Sequence, residues 1–222
     1  TVALAGDGGD ELFAGYEWMR RQRWIDMARR MPRALTGSAA AILRKAITSS
    51  ETKDGKGAAF VRFLDDAMQS PQRAFYRRST CFTEKMKASL LPDGAKKPWD
   101  GYDSYGLFES TLAGAGTDFY EQMLAWDSKV YLPDDDLCKV DRMSMAHSLE
   151  VRVPVLDLPL VEWSAGVPFG MKLRGLQTKR IWKDAFRDLL PGRIFDQRKQ
   201  GFSIPLQKWI QSYLPGIRRL LL

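Results

Sequence analysis

One stretch of the 222 residues reads as a strand, and it stands at the start: Val2 to Leu4, inside TVALAG. The run is too short for a helix and stops at Gly6. After Gly9 the apolar residues change period. Leu12, Phe13, Tyr16, Met19 and Trp24 recur at helical spacing. Asp10 and Glu11 stand at the head of that segment, where carboxylates suit a helix N-terminus. The opening therefore reads strand, glycine turn, helix, with Pro32 stopping the helix or starting the next. Nearly all later segments keep the helical period, so the expected fold is mostly α with one short strand at the N-terminus.

Helices are expected over 34–48, 58–68, 71–79 and 83–90, with a polar loop at 49–57. The segment 91–106 is rich in turn residues. From 117 the pattern sharpens. Phe119, Met123, Trp126 and Val130 mark one buried helix face. Pro133 and the three Asp residues at 134–136 then carry helix-start chemistry, with Leu137, Val140 and Ser144 continuing to about His147. EVRVPVLD turns extended, because the residue before Pro154 is pushed toward β or polyproline II. Asp157 begins a short helix. Thr178 is placed to cap a helix bearing Ile181, Trp182, Ala185, Phe186 and Leu189, which Pro191 and Gly192 end. A basic loop, DQRKQGFSIP, leads to a last helix from Pro205.

Hydrophobic residues make up 45% and charged residues 27%, an ordinary globular balance. The net charge of +7 is compatible with nucleic acid, acidic membranes or polyphosphates. The basic residues are scattered pairs such as Arg77/Arg78 and Arg218/Arg219, not a block, which points to a solvated surface and away from nucleic acid. Cys81 and Cys138 have no CxxC spacing, so a reducing compartment is expected, not a disulfide framework. There is no apolar run of membrane-spanning length. A chain that opens directly on a strand is expected to be a fragment of a longer protein. Its exposed apolar strand at 1–5 should promote self-association.

Three tracts carry candidate chemistry. In AGDGGDE, residues 5–11, the glycines let backbone N–H groups approach a ligand, and a helix N-terminus follows. Asp7, Asp10 and Glu11 would repel a bare anion, so a Mg-bound polyphosphate fits better. A capped tight turn is the structural alternative. In 134–157, Lys139 and Arg142 lie among Asp141, Glu150, Arg152 and Asp157. Arg142 is a candidate phosphate or carboxylate clamp, against a purely structural ion-pair network. In RKQGF, 198–202, Arg198 and Lys199 precede a glycine and could reach a phosphate site, against an exposed basic loop. His147 has no partner at metal spacing and reads as a core or hydrogen-bonded histidine.

The string GGDEL differs by one residue from the GGDEF signature of diguanylate cyclases. Those enzymes carry it in a β-hairpin of a sheet-rich domain, whereas a helix follows it here. Together, LAGDGGDELFAGY, YLPDDDLCKVDRMSMAHSLEVRVPVLD and RKQGFSIPLQKW resemble, in order and spacing, the synthetase domain of glutamine-hydrolysing asparagine synthetases. Residues 32–116 carry little of that resemblance.

The resemblance implies a fold, an activity and a site. The chain would be the C-terminal, mainly helical portion of an α/β adenine-nucleotide α-hydrolase-like (PP-loop) synthetase domain, one domain over 1–222. The family adenylates the side-chain carboxylate of aspartate with Mg-ATP, releasing pyrophosphate. Ammonia channelled from an N-terminal glutaminase domain then gives asparagine. Lys199 would contact the phosphates and the reacting carboxylate, with Arg142 near pyrophosphate. Ala5 and Gly6 would touch the nucleotide through their backbone. Asp7 would act in intermediate formation, and Asp10 would help to hold Mg. The Ser-Gly-Gly-x-Asp-Ser loop and the glutaminase domain with its cysteine nucleophile are absent from the sequence, so the chain alone is expected to be inactive. A cytoplasmic location and a possible homodimer are further expectations. The alternatives are another adenylate-forming amidotransferase, such as a β-lactam synthetase, and a non-catalytic interaction module.

Overall fold

The structure, a computed structural model, describes residues 1–32, 34, 36–39, 41–42, 56–82, 84–90, 102–196 and 205–221. They fall into two compact units, Thr1–Phe186 and Arg187–Leu222. The first opens with strand β1 (Val2–Leu4) and helices α1 (Gly9–Phe13) and α2 (Glu17–Arg29). Helices α3 (Lys56–Met68), α4 (Pro71–Ser79), α5 (Glu84–Leu90) and α6 (Ser104–Leu112) follow. Helix α7 (Phe119–Trp126) runs through a π-helical segment, Asp127–Leu137, into α8 (Cys138–Met145). Strand β2 (Glu150–Arg152), a 3-10 turn at Pro154–Leu156, and helices α9 (Leu158–Gly166), α10 (Phe169–Lys172) and α11 (Arg180–Ala185) complete the unit. The second unit contains α12 (Arg193–Asp196) and α13 (Leu206–Leu221). Among the described residues no helix is long and apolar enough to cross a membrane.

The mostly helical expectation holds, but the described residues contain two strands, not one. The extended EVR segment pairs in parallel with β1, in the register Val2–Glu150, Ala3–Val151 and Leu4–Arg152. The Ala5 N–H continues the ladder by donating to the Arg152 carbonyl at 2.9 Å. A parallel partner must come from far along the chain, so periodicity near one strand does not reveal it.

Three further expectations are corrected. The first helix does not run through to Trp24. It breaks at Ala14, which takes a left-handed conformation with φ 55°. Pro133 does not start a helix but sits inside the π-helical segment. Proline has no N–H to donate and its ring crowds the carbonyl one turn back, which the wider π turn relieves. Thr178 does not cap α11. The cap position is Lys179, left-handed at φ 51°, and the helix ends at Ala185. A helix also starts within the turn-rich 91–106 segment, at Ser104, with the Asp103 carboxylate accepting from the Tyr105 N–H at 2.9 Å. Most of the helix expected over 34–48 and most of the loop at 49–57 lie outside the described residues.

Caps fix the helices around the core. The Ser70 hydroxyl accepts from the Arg73 N–H ahead of Pro71, and the Asp118 carboxylate accepts from the N–H groups of Tyr120 and Glu121. These place Phe75 of α4 and Met123 of α7 in one buried cluster with Met19, Phe108 and Leu173. Trp126 closes on Phe108, with ring centroids 4.6 Å apart. Ile25, Ala28 and Ala67 form a second cluster joining α2 to α3. Arg29 locks that contact by donating to the carbonyls of Asp66 (3.0 Å) and Gln69 (3.2 Å) and to the Asp26 carboxylate (2.6 Å). In the second unit, α13 shows Trp209, Ile210, Tyr213 and Ile217 as an exposed apolar stripe.

Candidate functional site

The glycine turn is shaped by close approach. Gly8 is left-handed at φ 80°, and a Cβ there would lie 2.2 Å from the Leu156 side chain. The turn is thereby pressed against the 3-10 segment that follows β2. Gly15 is tighter still: a Cβ would lie 1.8 Å from Asp10 Oδ1 and 2.2 Å from Lys179 Cε. A side chain at this position would have to displace the Asp10 and Lys179 side chains. Asp10 Oδ1 lies 2.8 Å from Lys179 Nζ, which ties α1 to the start of α11.

The turn and the second tract therefore meet. Ala5 and Gly6 follow β1 directly, and Asp7 is half-buried beside them. Asp7 faces the π-helical segment closely enough that its charge, after desolvation and Asp135, raises the proton affinity of Asp136. Lys139 moderates this acidic face through Asp135 (2.7 Å) and Asp136 (3.7 Å). Glu11 is 2% exposed. Desolvation pushes its carboxyl above the usual range, the Tyr16 hydroxyl that donates to it works against this, and Asp10 and Asp136 add to the rise. Tyr16 is in turn held protonated far above neutral pH by burial and by Glu11. Sequence reasoning placed Glu11 at a helix head but did not foresee its burial. Helical spacing could not reveal it, because the break at Ala14 turns Tyr16 back onto it.

Arg142 lies exposed near the end of α8. Lys199, Arg198 and the rest of RKQGF lie outside the described residues. His147 is exposed, with Nδ1 3.0 Å from the Met143 carbonyl, in keeping with a hydrogen-bonded histidine. Both cysteines are free. Among the described residues no group of three or more His, Cys, Asp or Glu side chains is arranged to hold a metal ion. The Asp10 carboxylate is engaged by Lys179.

Sequence reasoning also missed a buried carboxylate beside this face. Asp127 is 5% exposed, and its Oδ2 has no hydrogen-bond partner. Burial pushes its pKa up to about 8 against the opposing pull of Arg78, with Glu11 adding to the rise. The signal was present: Asp127 stands four residues after Met123, on the apolar face of the helix. It lines a cavity of about 450 Å³ whose walls include Tyr16, Trp18, Phe75, Trp126 and Tyr131. Glu11 lines a second cavity of about 470 Å³ with Lys172, whose buried ammonium is pushed to lower pKa.

Comparison with known proteins covers the whole arrangement. The family model described as asparagine synthase matches residues 1–221. The glutamine-hydrolysing asparagine synthetase 1 of Bacillus subtilis is 28% identical over 214 residues, 96% of this chain and 32% of the relative. A putative glutamine-hydrolysing asparagine synthetase of Mycobacterium tuberculosis is 27% identical over 211 residues, 95% of this chain and 31% of the relative. An amidase of Gibberella zeae is 22% identical over 228 residues, 94% of this chain and 32% of the relative. No solved structure matches. The chain spans about a third of the length of the curated relatives it matches.

Proposed function

From a chain that belongs to the asparagine synthase family, we propose a role in ATP-dependent amide synthesis: aspartate is activated as an aspartyl-adenylate, and ammonia then displaces AMP to give asparagine. The reading rests above all on one observation. The parallel pairing of β1 with β2 and the packing of α1 against the π-helical segment bring the glycine turn beside the second tract, although the two lie far apart in sequence.

In this reading the backbone of Ala5 and Gly6 meets the nucleotide, since neither residue has a side chain that would obstruct it. Asp7 lies at the junction of both tracts and acts on the carboxylate being activated. Arg142 and Lys199 supply positive charge to the departing pyrophosphate and to the developing oxyanion. ATP is the co-substrate. Magnesium enters with its phosphates, because Mg commonly keeps water and phosphate oxygens around one or two carboxylates. Ammonia derives from glutamine in a glutaminase domain, and the working compartment is the cytoplasm. Activation of a carboxylate other than aspartate, as in β-lactam synthetases, is the second reading, kept because one relative of similar coverage is not named an asparagine synthetase.

The test is pyrophosphate release by the gene product that carries this chain, with ATP and a panel of carboxylates. Aspartate-dependent release, lost in Lys199→Ala while glutamine hydrolysis persists, is the expected result. Release with another carboxylate and none with aspartate would overturn the aspartate assignment. Undiminished release in Lys199→Ala would remove Lys199 from its role.

A further inference from the structure

We propose that the aromatic cavity beside Asp127 is a binding site for a small organic cation, a primary ammonium on an apolar body. Its volume, about 450 Å³, falls in the range of small-molecule sites. The walls are aromatic: Trp18, Phe75, Trp126 and Tyr131 all face it. Ring faces attract cations, most strongly where water is excluded. The protein already uses this attraction here, since the Arg78 guanidinium lies 4.2 Å from the centre of the Trp18 ring.

The polar end of the cavity is unfinished. Asp127 is 95% hidden by its 5% exposure, yet its Oδ2 has no hydrogen-bond partner. A buried carboxylate oxygen left unpaired is costly, and native proteins leave few such groups. An ammonium seated among the rings would satisfy it. The charges around the cavity favour this sign of ligand. Besides Asp127 the lining carries one cation, Arg78 of α4, against two carboxylates, Asp134 and Asp135 of the π-helical segment; Glu11 of α1 acts on Asp127 without lining the cavity. Lys139 answers Asp135 on the outer side, and Tyr16 and Tyr131 are held protonated. Carboxylates therefore outnumber cations around the cavity. The site is independent of the adenylation reading: a cleft walled by aromatic rings suits an apolar amine better than it suits a small dicarboxylate.

Binding is linked to a proton. The empty-cavity pKa of about 8 leaves Asp127 largely protonated at pH 7, and an ammonium requires it ionised. Amine affinity should therefore rise between pH 6 and pH 8, and binding at pH 7 should release a proton. A carboxylate ligand, drawn to Arg78, would release none.

Calorimetric titration of the 222-residue chain with 2-phenylethylamine, 2-phenylethanol and 3-phenylpropionate tests this directly. The amine should bind at least tenfold more tightly than either analogue, with proton release seen across buffers of different ionisation enthalpy. Asp127→Asn should weaken amine binding at least tenfold. Val130→Phe, which fills the cavity from its lining, should do the same and serves if the first variant does not fold. Equal binding of amine and alcohol, preference for the carboxylate, or amine affinity unchanged in a folded variant would overturn the proposal.

Discussion

At the scale of single residues, buried carboxylates set the character of the first unit. Asp127 carries a folded pKa of about 8 against an ordinary carboxylate value near 4. A carboxyl whose pKa rises on folding holds its proton longer in the folded state. Its contribution to stability therefore falls as pH climbs from the unfolded value toward 8, by up to roughly 1.4 kcal/mol per pH unit. Glu11 shifts in the same direction and adds to the slope. We expect the thermal midpoint to drop between pH 5 and pH 8, and Asp127→Asn to flatten that drop; a profile identical in the two proteins would contradict the assignment. Tyr16→Phe is the complementary test. It removes the hydroxyl that donates to the buried Glu11, which should cost about 1–3 kcal/mol in urea unfolding. The sequence made some of this legible. The carboxylates at 7, 10 and 11 were visible as a group, and Asp127 could have been read from its place on an apolar face. The Glu11–Tyr16 contact was hidden, because it depends on the main chain folding back at Ala14.

At the scale of elements, the site is a junction made by a short parallel strand pair and two helix interruptions. Gly8 holds the turn against Leu156, so Gly8→Ala must strain a left-handed residue and displace a side chain 2.2 Å away. That substitution should destabilise by more than about 1 kcal/mol, measured as a shift in denaturation midpoint, while Gly106→Ala, with open space at its Cβ, should not. Strongly periodic segments were readable before the structure. The 71–79 helix follows a proline at its first position, and Met123 lies on the buried face its spacing indicated. Boundaries governed by tertiary contact were not. The break at Ala14 lies beside the Asp10–Lys179 pair, which joins residues 169 positions apart in sequence. The passage through Pro133 needs a π register that no local rule announces. The helix at Ser104–Leu112 did have a local signal, the Asp103 cap ahead of Tyr105, Phe108 and Leu112.

At the scale of the whole molecule, the two-stranded sheet leaves its apolar residues open. Val2 is 51% and Leu4 74% exposed, although parallel strands are ordinarily covered on both faces. The chain in isolation should therefore self-associate through β1. Sedimentation velocity should show a concentration-dependent increase that Leu4→Lys suppresses; a monomer at all concentrations would contradict this. The resemblance read from three ordered motifs agrees with the family match over residues 1–221, because the motifs are long and correctly spaced. Residues 32–116, which carried little of that resemblance, supply α3 and α4 to the core, and Phe75 of α4 to the aromatic cavity.

The central claim is that the junction of glycine turn and acidic face serves carboxylate adenylation. It is tested most directly by pyrophosphate release from ATP in the gene product bearing Asp7→Asn. Aspartate-dependent release is expected in the natural protein, with at least a tenfold loss in the variant and the thermal midpoint preserved. Equal release from both proteins would contradict it.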